Sequence, residues 1–213
     1  MTISTRKENF LILVLILIYT IGIFGSTLPY FSSWFLSLSP YNLSVTFLVL
    51  IFAKKTSKIL FTIFLLIAFL IGISIELIGV HSGLLFGQYS YGENLGMKIY
   101  EVPFVIGLNW GIVAVASNSI LAYIKMSRGL KIISAAVIMT LLDLLIEPIS
   151  SKINFWHWEN DTIPIYNFIC WFIFGVIIQL IFYALKLEEK NKVFVVLLTL
   201  LIVFFTVLNV YYT

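Results

Sequence analysis

Charge is scarce in this chain. Only 11% of its 213 residues are Asp, Glu, Lys or Arg, where a soluble domain carries roughly a quarter. Water cannot solvate a surface that is 61% hydrophobic, so a bilayer has to. The net charge of +3 is too small and too dispersed to give the concentrated basic face that nucleic acid requires. Cysteine is nearly absent: Cys170 stands alone inside an apolar run, which excludes an intrachain disulfide and any multi-cysteine metal site. Histidine occurs twice, at His81 and His157, with no His-x-x-x-His or Glu-x-x-His pair to suggest a metal site. Phosphate-cradling loops, nucleophile elbows and dinucleotide fingerprints are missing too. These gaps give no reason to expect a cofactor or a metal.

Apolar runs are plentiful. Seven are near the roughly 20 residues that a helix needs to cross a hydrocarbon core: about 9–28, 34–53, 59–79, 102–124, 129–150, 164–186 and 193–212. They are continuously apolar rather than alternating, which favours helices over a barrel. The second is the weakest, because Pro40 interrupts it. The first follows Arg6-Lys7 in the manner of a signal peptide. Its apolar stretch reaches Leu28, so an uncleaved first helix is expected. The chain reads as one polytopic all-α membrane domain over 1–213, without repeats, linkers or low-complexity tracts.

Charge supplies an independent test of that topology. With the N-terminus in the cytoplasm, the inside segments hold Arg6, Lys7, Lys54, Lys55, Lys58, Lys125, Arg128, Lys131, Lys186, Lys190 and Lys192. The outside segments hold only Lys98 and Lys152. This is the asymmetry of the positive-inside rule. Seven helices, an outside C-terminus and a multi-pass place in the inner cell membrane follow as expectations. The two longest connections, about 80–101 and 151–163, then share the outer face and concentrate the Gly, Tyr, Trp, His and acidic residues there.

Three acids lie inside predicted spans: Glu76, Asp143 and Glu147. A charge in hydrocarbon costs at least about 2.5 kcal/mol, so such residues usually face a bundle interior and mark a site. Asp143 and Glu147, at i and i+4, share a helix face. Glu76 is expected about a turn from the end of the third span, with His81 in the adjoining loop and Glu101 opening the fourth. Adjacent acids in a dry site can divide the roles of general acid and general base. The competing reading is a structural network tying helices together through Asn109, Tyr89 or Trp indoles. Phe155-Trp156-His157-Trp158 reads either as an interfacial aromatic belt or as a wall for an apolar or cationic ligand. Gly72-x-x-x-Glu76 and Gly107-x-x-x-Gly111 suggest close helix contacts.

The same residues carry a family resemblance. The first block is Glu76-Leu-Ile-Gly-Val-His81-Ser-Gly83-Leu-Leu-Phe86-Gly87-Gln-Tyr89-Ser-Tyr91, then Leu95-Gly96 and Val102-Pro103. The second is Asp143-Leu-Leu-Ile-Glu147-Pro148, then Phe155-Trp156-His157-Trp158, then Ile163-Pro164-Ile-Tyr166-Asn167-Phe168-Ile-Cys170-Trp171. Over about 70–175 the chain resembles the membrane carotenoid-biosynthesis protein family, which includes hydratases of acyclic carotenoid end groups.

The resemblance implies acid-catalysed addition of water to a terminal C=C, giving a tertiary alcohol without a cofactor. Its partners would be membrane lipid, the carotenoid and other enzymes of carotenoid biosynthesis. It implies Asp143 or Glu147 as proton donor, Glu76 as an orienter of water, and His81 as a proton relay. Tyr89, Tyr91, Trp110, Trp156, Trp158, Asn167 and Trp171 are the substrate-binding candidates. A non-catalytic carotenoid- or lipid-binding scaffold and a small proton-coupled transporter are the alternatives.

Overall fold

The structure, a computed structural model, describes residues 5–213. Eight α-helices carry the chain: α1 Thr5–Thr27, α2 Ser32–Ser37, α3 Ser39–Ala53, α4 Lys58–Ser82, α5 Phe104–Ser119, α6 Arg128–Ile146, α7 Ile165–Ala184 and α8 Lys192–Tyr212. Six stretches of helix are long and apolar enough to cross a membrane. The protein is therefore a mostly helical, multi-pass membrane protein.

The second predicted span is where the structure differs from a plain reading. It is broken at Leu38 into α2 and α3, with Pro40 at the start of α3. Proline lacks an N–H and clashes with a preceding carbonyl inside a helix, but fits its first turn. The break therefore falls at the proline. At 15 residues, α3 is only about 22 Å long. Its far end returns to the start of α1, where Lys55 pairs with Glu8 at 3.1 Å.

The helix α5 is the centre of the bundle. Its apolar stretch is 83% buried, against 28–39% in the other five long helices. Small residues let its neighbours close in. Gly72 of α4 lies so near Trp110 that an added Cβ would sit 2.5 Å from the indole. A Cβ on Gly107 would meet the Phe69 ring at the same distance. Both glycine spacings noted in the sequence are thus helix contacts.

The two long connections are not the irregular loops that their composition suggests. Tyr89–Tyr91 (β1) and Trp156–Trp158 (β4) pair antiparallel, with Tyr89 opposite Trp158 and Tyr91 opposite Trp156. Lys98–Ile99 (β2) and Val102–Pro103 (β3) form a hairpin. Its turn residues, Tyr100 and Glu101, both have positive φ, as a two-residue hairpin turn of matching twist requires. The β1–β4 pair ties the α4–α5 connection to the α6–α7 connection and roofs one end of the bundle.

The opposite end is closed by charge. Lys54, buried, pairs with Glu189 at 3.2 Å and donates to the Leu187 carbonyl. Asn191 donates to the Ala53 carbonyl at 2.9 Å.

Candidate active site

Side chains alternate across a strand, so Tyr89, Tyr91, Trp156 and Trp158 hang from the inner face of the roof, while Ser90 and His157 lie exposed on its outer face. Beneath the roof the ends of α4 and α6 bring Glu76, Asp143 and Glu147 together, all buried. α6 stops at Ile146, and Glu147-Pro148-Ile149 continues as a single tight turn. This is the ending that Pro148 dictates.

Each of the two glutamates accepts three donors, which leaves about one of a carboxylate's roughly four lone-pair sites open. Glu76 Oε2 accepts the hydroxyls of Tyr89 at 2.5 Å and Tyr91 at 2.7 Å, and Oε1 accepts the Trp110 indole at 3.2 Å. Glu147 Oε2 accepts the indoles of Trp156 at 3.1 Å and Trp158 at 2.6 Å. Its Oε1 accepts the Asn167 amide at 3.0 Å. Asp143 accepts a single bond, from the same Asn167 nitrogen, at 2.8 Å. Asn167 therefore bridges the two acids of α6. Burial, and then the charge of Glu76, push the phenols of Tyr89 and Tyr91 far above their usual range. Both remain hydrogen donors at any physiological pH.

Trp171 stacks on Trp110 with ring centroids 4.0 Å apart, backing the site with a double indole layer. The space among these groups is about 30 Å³, enough for one or two waters. Its walls include Phe86, Ile106, Asn109 and Ile146. A second, more apolar cavity of about 70 Å³ adjoins it and shares Ile106, Asn109, Ile146 and Trp156. Among the described residues, no three His, Cys, Asp or Glu groups are clustered to hold a metal ion.

The structure gathers Glu76, Asp143, Glu147, Tyr89, Tyr91, Trp156, Trp158, Asn167 and Trp171 around the cavity, with Trp110 fully buried beneath it. It does not gather His81. Helix α4 runs to Ser82, past the expected end of the span. His81 therefore lies on its last turn, with its side chain 51% exposed and its Nε2 3.1 Å from the Tyr100 carbonyl. Glu101, in the hairpin turn and 76% exposed, is also outside the site. Glu76 is correspondingly deeper than a turn from the helix end. Asn109 differs from the sequence reading in another way: it bonds to no acid and instead faces the neck between the two cavities. Nothing in its local sequence distinguishes it. Its position follows only from the packing of α5.

Fold and site together define a multi-pass membrane protein with a three-carboxylate chamber under an aromatic β roof. Comparison with known proteins places it more closely. Residues 39–213 match the family described as carotenoid biosynthesis protein, and the chain belongs to that family. Over 118 residues it is 30% identical to the bisanhydrobacterioruberin hydratase of Haloarcula japonica, a match covering 51% of this chain and 40% of that relative. The chain thus spans well under two thirds of the relative's length. No solved structure matches.

Proposed function

We propose that the protein adds water to the terminal double bond of an acyclic carotenoid end group, by acid catalysis and without a cofactor. The observation that carries this reading is the unequal hydrogen bonding of three buried carboxyl groups around a water-sized space. Donors favour the ionised form of a carboxyl group. Glu76 and Glu147 accept three donors each and Asp143 accepts one, so in this reading the two glutamates serve as the carboxylates and Asp143 carries the proton.

In this scheme Asp143 protonates the less substituted carbon of the terminal trisubstituted C=C. The positive charge forms on the tertiary carbon. Water in the chamber attacks that carbon and loses a proton to Glu147, and a tertiary alcohol results. One proton is given and one recovered. It returns from Glu147 to Asp143, one helical turn away, so the sum is the addition of one water. Glu76, fixed by both tyrosines, orients the water, and its charge opposes the developing cation. The indole faces of Trp156, Trp158 and Trp171 add cation–π stabilisation. The half-buried Asn109 amide is a further holder of water at the neck.

A substrate dissolved in lipid suits a chain with so little polar surface. The charge asymmetry supports an N-terminus in the cytoplasm, the β roof outside and an inner-membrane location. The Lys55–Glu8 pair supports α2 and α3 as one further crossing, making seven.

Purified protein in detergent, given an acyclic carotenoid in isotopically labelled water, tests the reaction. The expected product carries one labelled oxygen as a tertiary alcohol. An inserted, folded protein yielding no oxygenated product from any acyclic carotenoid contradicts it.

A further inference from the structure

The acid chamber is too small for a long hydrocarbon, yet it is not isolated. It meets the 70 Å³ cavity at Asn109 and Trp156. That cavity in turn shares Ser39, Asn42 and Phe204 with a groove of about 240 Å³ between α1 and the α2–α3 pair. At the outer rim of the groove, Ile21, Tyr41 and Val45 are exposed, as apolar side chains facing lipid would be. The three spaces therefore run in series from Asp143 and Glu147 to the lipid-facing surface.

The groove is a consequence of the broken helix. Gly25 admits the Phe35 ring of α2 so closely that a Cβ there would lie 2.1 Å from it. Past the break, α3 lines the groove opposite α1 through Tyr41, Asn42 and Val45. Gly22 then leaves the floor open, since a Cβ would come within 3.2 Å of Phe204.

The lining identifies the occupant. No acid or base borders the second cavity or the groove. The Ser39 hydroxyl donates to the Leu36 carbonyl, and the Asn42 side-chain oxygen accepts from Thr46. These polar atoms are already engaged. Apart from the Asn42 and Asn109 amides and the Tyr19 and Tyr41 hydroxyls, what remains is hydrocarbon and aromatic surface, which selects an apolar chain mainly through area removed from water or lipid.

We propose that this series of spaces is the binding path for a linear polyisoprenoid chain, which enters end first from the bilayer between α1 and α3. The end group reaches Asn109 and Trp156, the middle of the chain passes Asn42 and Phe204, and the remainder lies in the groove or in lipid. The proposal takes its end-group chemistry from the hydration reading, but the path itself is tested by binding.

Two variants narrow the path. Asn42→Phe plugs the junction of cavity and groove, and Val45→Trp fills the rim, where an exposed position tolerates bulk. Each is purified from a host that accumulates lycopene, checked for a wild-type melting profile, and assayed for pigment retained per protein. Asn42→Phe is expected to lose pigment at least about ten-fold, the effect of overpacking a filled site by about 1.4 kcal/mol. Val45→Trp is expected to lose less. For Asn42→Phe, the ratio of long-chain to short-chain isoprenoid bound falls by a similar factor. Wild-type retention in both folded variants overturns the path, as does a wild-type protein that retains no pigment. Pigment held by the wild type and lost in the variants, with no water-added product from any of them, supports the path and removes the hydration reading.

Discussion

Tyr89 and Trp158 face each other in register across the β1–β4 pair, their rings 5.2 Å apart, and each donates to a different carboxylate. Tyr89 holds Glu76, on α4, and Trp158 holds Glu147, at the end of α6. A single pair of strands thus sets the separation of two acids carried by different helices.

Removing either donor is expected to loosen one acid and leave the other in place. Trp158→Phe keeps the ring but deletes the indole N–H, and Tyr89→Phe deletes the hydroxyl. Each leaves a buried carboxylate short of one bond, at about 1–3 kcal/mol. Thermal unfolding in detergent should register that loss. Conversion of substrate should fall in both variants, and the double variant should fall by less than the product of the two, because the residues share a strand contact.

Asn167 lies in the site, as the sequence reading expected, and bridges two acids there, whereas His81 lies outside it. Asn167→Ala removes the bridge between Asp143 and Glu147 and is expected to reduce conversion by about 10² or more, the scale of a displaced acid–base pair. His81→Ala changes a half-exposed side chain and should alter stability by no more than about 0.5 kcal/mol, with conversion near wild type. A large loss of conversion in His81→Ala would restore that residue as a proton relay.

Helix contact and chemistry meet at Gly72. Gly72→Val drives a side chain into the Trp110 indole, which holds Glu76 from below. Overpacking of this kind costs about 1–3 kcal/mol. A lower melting temperature together with reduced conversion is expected, with Gly129→Val, which has open space around it, as the unaffected control.

The face opposite the roof should respond to pH. Burial raises the carboxyl of Glu189, but the Asn191 amide, the Lys54 charge and the Lys55 backbone N–H outweigh it and hold the group below the ordinary 4.5. Its stabilisation is therefore fully present above about 4.5 and is lost as pH falls through the lower folded value. Lys54→Met leaves Glu189 buried without its cation and should destabilise by about 3 kcal/mol. Lys54→Met with Glu189→Gln should recover much of that, as melting curves at neutral and acidic pH will report.

The sequence made the helices and the three acids legible for a simple reason. Long apolar runs and charges within them are local signals. Pro40 likewise marked a break where one occurs. The β roof was not legible, because Tyr-Ser-Tyr and Trp-His-Trp are each three residues long and lie 65 positions apart at their closest. Their alternation shows only after pairing. Sequence alone reads the aromatic cluster as a membrane belt or a ligand wall, and reads Tyr89 and the Trp indoles separately as partners of the buried acids; the hydrogen bonds of Tyr89, Trp156 and Trp158 match that network reading. His81 was misplaced because α4 continues through polar residues beyond the apolar run. Asn109 carries no local mark at all, since its place at the neck depends on where α5 sits among its neighbours.

The central claim is that Asp143 supplies the proton that starts hydration. The most direct test is mass analysis of pigments from a bacterium accumulating lycopene and expressing either the wild-type protein or Asp143→Asn. The account predicts a pigment heavier by one water with the wild type, and none with Asp143→Asn inserted at equal level and still retaining lycopene on purification. The same heavier pigment formed undiminished by Asp143→Asn would contradict it.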